Sequence, residues 1–418
     1  VFGRAEQKIG TAKAASEGAL AGADLTIRPL LRTAEILESV PGMMVTQHSG
    51  SGKANQYFLR GFNLDHGTDF GVAIDDVPMN FRTHGHGQGY LDVNGLIPEL
   101  VQRVDYRKGP YRADMGDFNL VGGAQIRTVD ATARPFALVE AGDFGWRRLV
   151  AAGSVEVLGG DLMLAGQLKT YDGPWELPEG LEHVSLFAKH TSQTPLGTLR
   201  LGLSIYDATW RPTEQIPERA IGSLIDDAYG AVDLDLYGET RREILTAQLE
   251  GEDWRGSFYV QHYDWRMISN FTFFLDDPVN GDQLEQAERL WTYGGRLERR
   301  FQLSPNLSVL AGGEGRFDDI DSVGLYQTVA GGRFRSRGEF AVEEASAALY
   351  AEASWTPVER LTLTGGLRAD AYSFKTTARD SEAWSGEVED EVVSPKLSAS
   401  YEILDGLAIY ANWGEGFH

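Results

Sequence analysis

The chain has 418 residues, with 61 Asp and Glu against 38 Lys and Arg, 49 glycines and no cysteine. The acidic excess argues against a nucleic-acid partner, which wants a positive surface, and the lack of cysteine excludes disulfides, thiolate metal sites and thiol nucleophiles. No run approaches the ~18 consecutive apolar residues of a transmembrane helix, which leaves open a membrane β-barrel, whose strands alternate apolar and polar residues.

Residues 1–24 are rich in Ala, Gly, Lys and Glu without an apolar period and are expected to form a weakly ordered arm. The opening VFGRAEQKIG has no Met, no basic n-region and no apolar h-region, which predicts a mature or trimmed product. LLRTAEILESV places Leu30, Ala34 and Leu37, with Ile36 and Val40 less cleanly, on one helical face, and Pro41-Gly42 stops that helix. From Met43 to Thr128 short strand-like pieces follow: MMVTQ, YFLRGF, FGVAIDD, VQRVDYRKG and AQIRTV. Glycine-rich loops separate them, which predicts a compact mixed α/β unit.

After residue 130 the pattern becomes period-2 alternation. Leu199, Leu201, Leu203 and Ile205 face one way and Arg200, Gly202 and Ser204 the other. Leu349, Ala351, Ala353 and Trp355 oppose Tyr350, Glu352 and Ser354 in the same manner, and Leu407, Ile409, Ala411 and Trp413 form a last such row. A soluble sandwich would alternate too. The connections are more informative. Short turns (VLGGD, SQTPLG, GEDW, SPN, TPVER, LDG) alternate with long polar stretches near 172–182, 208–240, 266–290, 318–340 and 374–391. Tight turns at one end and long loops at the other are the pattern of an outer-membrane barrel. Trp146, Trp210, Trp265, Trp291, Trp355 and Trp413 are expected in its interfacial girdles. About 13 strands are expected, an odd, open set that implies a barrel stopping partway round.

Four segments, in order, resemble the TonB-dependent outer-membrane receptors: AEILESVPGMMV (34–45), YFLRGFNLDHGTDFGVAIDDVPMN (57–80), VQRVDYRKGPYRADMGD (101–117) and VGGAQIRT (121–128). Asp105, Lys108 and Met115 stand where the family commonly has Glu, Arg and Tyr, and Gln125-Ile126-Arg127 replaces an Ile–Asn–Ile-like strand. VFGR (1–4) resembles the tail of the segment that TonB grips. The resemblance implies a mainly β fold, a transmembrane antiparallel β-barrel with an N-terminal mixed α/β plug, in which about 13 strands of a roughly 22-stranded family barrel are present. By residue, it implies an arm at 1–24, a plug at 25–130 and a partial barrel at 131–418. It also implies a monomer in the bacterial outer membrane, with no enzymatic activity and no cofactor. Its partners would be TonB, membrane lipid and a small-molecule or metal-chelate ligand. The implied function is energised uptake of a scarce nutrient, a ferric siderophore or other metal chelate. Alternatives are import of a bare Zn, Cu or Ni ion, of cobalamin, haem or an oligosaccharide, or a signal-transducing receptor of the same fold.

Residues 80–92, NFRTHGHGQGYLD, follow the strand ending at Pro78, where the family carries an apical ligand loop. Phe81, Arg82, His84, His86, Gln88 and Tyr90 are therefore ligand-contact candidates, joined by Asp65 and His66 from NLDHGTD (63–69). QHSGSGKAN (47–55) is a third candidate loop. His84 and His86, one residue apart, share a face in an extended segment and could chelate one cation, completed by Asp65, His66 or His48 if the loops converge. The spacing G-x-G-x-G is not the dinucleotide fingerprint, and no helix follows it. Arg82 offers a cation to an anionic chelate, whereas Arg60, Arg107 and Lys108 are expected to lock the plug by pairing with barrel carboxylates. Adjacent Asp75 and Asp76 would point to opposite faces of a strand, so they form no acid–base pair.

Overall fold

The computed structural model describes residues 16–25, 30–380 and 384–417. Of the expected N-terminal arm, residues 1–15 lie outside the described residues. The remainder is ordered: β1 (Glu17–Ala21) pairs antiparallel with β7 (Val101–Lys108), and a single turn, α1 (Gly22–Leu25), follows. EGALA has no period of its own; the unpaired N–H and C=O groups along the edge of β7 supply the partners that make it a strand.

The segment expected as a helix is a 3-10 helix over Thr33–Ser39, and Ala34, Ile36, Leu37 and Val40 are all buried. Glu35 folds back to accept the N–H groups of Leu31 (2.9 Å) and Arg32 (3.1 Å), so the segment tightens instead of extending. The strands that follow are β2 (Met43–Thr46), β3 (Gln56–Leu59), β4 (Phe62–Asn63), β5 (Phe70–Ile74), β6 (Val77–Pro78) and β8 (Gly122–Thr128). They form a sheet in the order β1-β7-β8-β5-β6 and a small one in the order β2-β3-β4. One apolar core joins them, built from Val45, Tyr57, Leu64, Phe70, Val72, Val104 and Ile126 with the 3-10 helix. Val104 and Ile126 alternate with polar neighbours along their strands, so one face of the larger sheet is apolar.

The second half is one antiparallel sheet of 13 strands in sequence order. Its first seven strands are β9 (Phe136–Ala141), β10 (Arg147–Val157), β11 (Gly160–Tyr171), β12 (Leu181–Thr194), β13 (Gly197–Trp210), β14 (Tyr237–Glu250) and β15 (Trp254–Ser269). The remaining six are β16 (Leu284–Ser304), β17 (Leu307–Val329), β18 (Gly332–Val358), β19 (Leu361–Ala378), β20 (Gly386–Leu404) and β21 (Leu407–Gly414). β9 and β21 are its edges among the described residues. The alternation sorts as expected: Leu349 is 73% and Leu367 54% exposed, while their neighbours Tyr350, Glu352 and Arg368 are buried toward the plug.

One end carries the turns 158–159, 195–196, 251–253, 305–306, 359–360 and 405–406. The other carries the connections 172–180, 211–236, 270–283 and 379–385. The stretch 318–340 is not a loop. β17 and β18 continue through it as a long hairpin closed at Ala330-Gly331, because its polar residues alternate and both strands keep pairing, with bulges. Two of the six tryptophans also depart from the girdle pattern: Trp210 and Trp265 are fully buried inside, whereas Trp291, Trp355 and Trp413 are exposed.

Between the plug and the barrel wall runs a polar seam. Lys189 Nζ meets Asp75 Oδ2 at 3.0 Å and the Thr128 carbonyl at 3.1 Å. Arg148 grips Glu99 with two bonds of 2.7 and 2.6 Å. Arg242, Arg296 and Arg316 donate to the carbonyls of Asp92, Asp114 and Asn80 at 2.6, 2.7 and 3.0 Å. In the opposite direction, Arg112 Nε donates to Glu352 Oε2 at 3.0 Å. The expected locking residues do otherwise. Arg107 pairs within the plug, with Asp114 at 2.9 Å; Lys108 Nζ reaches the Pro41 carbonyl at 3.3 Å; Arg60 is exposed on a turn at φ 53°. Most of the reaching cations sit on barrel strands, whose long side chains span the gap to plug carbonyls. Nothing in the plug motifs reveals that direction.

Candidate functional site

Three plug loops meet beneath the long connections. Residues 47–55 pack under β13, where a Cβ on Gly52 would fall 2.0 Å from the Trp210 ring and the Trp210 indole donates to the Ser49 carbonyl at 3.1 Å. The Ser51 N–H donates to Glu179 in the 172–180 connection. The loop 63–69 crosses 80–91: Leu91 N–H donates to the His66 carbonyl at 2.7 Å, while within 80–91 the Gly89 N–H donates to the Phe81 carbonyl at 2.8 Å. Gly89 has φ 75°, and a Cβ there would lie 2.9 Å from Thr68 Cα, so only glycine permits the crossing. Asn80 ties the same strands through the Gly67 and Phe70 carbonyls at 2.9 and 3.2 Å.

This crossing gathers four histidines. His84 is fully buried and stacks on Tyr90, with centroids 3.8 Å apart and planes 2° off parallel. Its Nδ1 accepts the His86 N–H at 3.1 Å, so in the neutral ring Nε2 carries the proton, toward Tyr263 Oη at 3.3 Å and Glu288 at 3.6 Å. His86 Nδ1 lies 2.9 Å from Gln286 Oε1 on β16. The His66 ring is 4.7 Å from that of His86 and 5.0 Å from that of His48. His84 and His86 therefore do not address one point together: one is committed inward, and it is His86 that turns toward His66 and His48.

Burial, with the charge of Lys53 nearby, lowers His48 and His86 to about 4 and His66 to about 2. Burial drives His84 down as well. All four rings are neutral at pH 7. We expect their C2-proton NMR signals to stay flat between about pH 8 and pH 5.5, where an unperturbed imidazole with pKa ~6.5 would titrate. A midpoint near 6.5 at His66 would refute the buried cluster.

Phe81 and Tyr90 are buried in an aromatic group with Trp210, Tyr263 and Trp265. Tyr90 Oη accepts the Ala54 N–H at 2.9 Å. Asp65 and Gln88 are exposed. Arg82, expected to meet an anionic ligand, is instead spent on protein: Nε donates to Asp117 at 2.7 Å, and Nη2 to Ser346 Oγ of β18 at 2.8 Å. Thr83 and Gly85 extend that contact to Glu344 and Glu288, at 2.7 and 3.0 Å. Sequence reasoning missed Lys53 and Glu214. Lys53 is 1% exposed, its Nζ finds no hydrogen-bond partner among the described residues, and burial lowers it to about 8. Both Glu214 carboxylate oxygens are likewise buried without a partner, and burial raises the group to about 7. Lys53 sits in a Gly/Ser-rich loop that reads as solvated, so no sequence signal marks it. Lower down, a cavity of about 410 Å³ lies between the plug sheet and the barrel wall, lined among others by Asp76, Arg82, Asp105, Arg255, Arg296 and Glu314.

The solved structure of the copper transporter OprC is similar over 98% of this chain at 15% identity and a TM-score of 0.74. The ferric citrate transporter FecA in its unliganded form is similar over 97% at 15% identity, with a TM-score of 0.76. The ferric yersiniabactin uptake receptor FyuA from Yersinia pestis is similar over 93% at 15% identity, with a TM-score of 0.68. The chain spans 64%, 63% and 62% of those proteins, respectively. At this identity the likeness concerns the fold. Family models match directly: the TonB-dependent receptor plug domain at residues 12–123, and the TonB-dependent receptor-like β-barrel at residues 185–418. The chain belongs to the TonB-dependent receptor family, whose β-barrels lie in the Gram-negative outer membrane.

Proposed function

We propose that the protein takes up a scarce metal chelate, of the ferric siderophore class or a related complex, with TonB supplying the energy through the plug. In this reading residues 25–130 act as the plug, 131–418 as barrel wall and 1–24 as the coupling arm. The supporting observation is the convergence of loops 47–55, 63–69 and 80–91 at the end of the barrel that carries the long connections. Exposed Asp65 and Gln88 beside half-buried His48 and His86 give that apex polar groups able to meet a ligand. Arg82 is left out of the contact set, because its guanidinium is already paired. The structurally similar proteins named for copper, ferric citrate and ferric yersiniabactin agree with a metal-bearing cargo.

The test is accumulation of radiolabelled iron in cells expressing the full-length receptor, supplied as ferric citrate or as catecholate and hydroxamate siderophores, with and without TonB. At least tenfold accumulation that disappears without TonB is expected for one of them. Accumulation equal in both strains would defeat the reading.

A further inference from the structure

We propose that His48, His66 and His86, with Asp65, form a site for a bare divalent d-block cation of the zinc or copper class at the plug apex. This names a cargo class for the uptake reading and rests on it in that respect; the binding site itself stands on the local geometry.

The tautomer of each ring decides which nitrogen can face a metal. His66 Nδ1 lies 3.1 and 3.0 Å from the carbonyl oxygens of Ala54 and Asn55, which only accept, so Nδ1 carries the proton and Nε2 the lone pair. That Nε2 stands 3.2 Å from His48 Nε2. Two imidazole nitrogens each about 2.0–2.1 Å from one zinc, at a tetrahedral angle, are separated by roughly 3.3 Å. The pair is thus already spaced as one edge of a coordination tetrahedron. His48 can present its lone pair there by placing its proton on Nδ1, which faces Ser49 Oγ at 3.4 Å. No proton need leave the protein.

His86 brings a third ring edge-on to His66, its plane inclined by 72°. Its Nδ1–H is directed at Gln286 Oε1, which leaves Nε2 with the lone pair. Each of the three rings therefore has its second nitrogen engaged by a carbonyl, an amide or a hydroxyl, as metal-ligating histidines do. Asp65 Oδ1 is 3.8 Å from His66 Nε2, on an exposed side chain free to rotate inward. No three donors are gathered at a single point among the described residues. The His48–His66 edge is preformed, and binding would draw Asp65 and His86 onto it.

Two charges bear on the site besides Asp65. Lys53 opposes a cation, while Glu214 acts on Lys53 with the opposite sign. Asp65, beside His66, supplies negative charge against it.

The experiment titrates the purified, metal-stripped full-length receptor with Co²⁺, read by visible d–d absorption, followed by competition with Zn²⁺ and Cu²⁺. One equivalent with intense, tetrahedral-type bands is expected. His48→Ala and His66→Ala should each weaken binding at least tenfold, while His190→Ala, whose ring meets the Val157 carbonyl beside the turn 158–159 at the other end of the barrel, should stay within threefold. Circular dichroism and the heat-modifiable gel mobility of the barrel confirm that each variant is folded. No bands in the wild type, or binding indifferent to His48 and His66, would overturn the site. TonB-dependent uptake of an iron chelate in that case would leave the uptake reading intact. Cation binding as described, without TonB-dependent accumulation of that metal, would uphold the site and remove the cargo assignment.

Discussion

Gly89→Val should weaken ligand binding at the apex while leaving a folded barrel. At φ 75° a β-branched side chain is strained by about 1–3 kcal/mol. Its Cβ would also lie 2.9 Å from Thr68 Cα and 3.0 Å from Thr68 N, backbone atoms that cannot swing aside. The overpacking adds roughly 1–3 kcal/mol. The cheapest relief is to push loop 63–69 away, and with it His66 from His48. Affinity for the cognate ligand should fall by ten- to a hundredfold, about 1.4–2.7 kcal/mol. Two controls isolate the cause. Gly87→Ala would meet only Asp65 Oδ2 at 3.7 Å, and Gly61→Ala, at φ 82°, would meet nothing within 4 Å. If Gly89→Val binds as tightly as Gly87→Ala, the crossing does not position the site.

Arg112→Leu should loosen the plug in the barrel by about 3–5 kcal/mol, the usual cost of stripping one partner from a buried ion pair. Glu352 is 3% exposed on β18, and its Oε2 accepts both Arg112 Nε and the Ala113 N–H, at 3.0 and 3.1 Å. Without the guanidinium the carboxylate keeps its burial and loses the Arg112 charge. Plug unfolding can be followed in urea by thiol labelling of Ala124→Cys, since the native chain has no cysteine and Ala124 is buried. The Arg112→Leu/Glu352→Leu pair should recover much of the lost stability, because both charges are gone. A midpoint that does not move in the single variant would show that this pair does not hold the plug.

The barrel was legible from sequence because each strand writes its lumen and lipid faces in alternation: Leu349, Leu367 and Ile409 outward, Tyr350, Glu352 and Arg368 inward. The plug was legible from its motifs. What failed was whatever depends on distance between segments. Trp210 and Trp265 look like girdle residues until Gly52 and the Tyr90 cluster are seen packed against them. The 318–340 stretch is polar enough to read as a loop, yet its alternation continues and it pairs as a ribbon. Arg60, Arg107 and Lys108 carry the right charge for a lock, but their reach is spent on solvent, Asp114 and Pro41. At the apex, the residue types in HGHGQG pointed to a histidine cluster. The division between an inward His84 and an outward-facing His86 depends on the His86 N–H, Gln286 and Tyr263, which no spacing rule contains.

The edge position of β1 has a mechanical meaning. Among the described residues it is the last strand on one side of the order β1-β7-β8-β5-β6 and pairs only with β7, through five residue pairs from Glu17–Arg107 to Ala21–Arg103. Tension entering from the chain ahead of Glu17 would load the outermost pair first and part the five in succession, like a zip, without stressing all of them at once. β7, β8, β5 and β6 would keep their own pairings throughout. The sheet thus has a detachable tab: a short lever arm can be drawn out at low force while the loops that hold the apex remain in place.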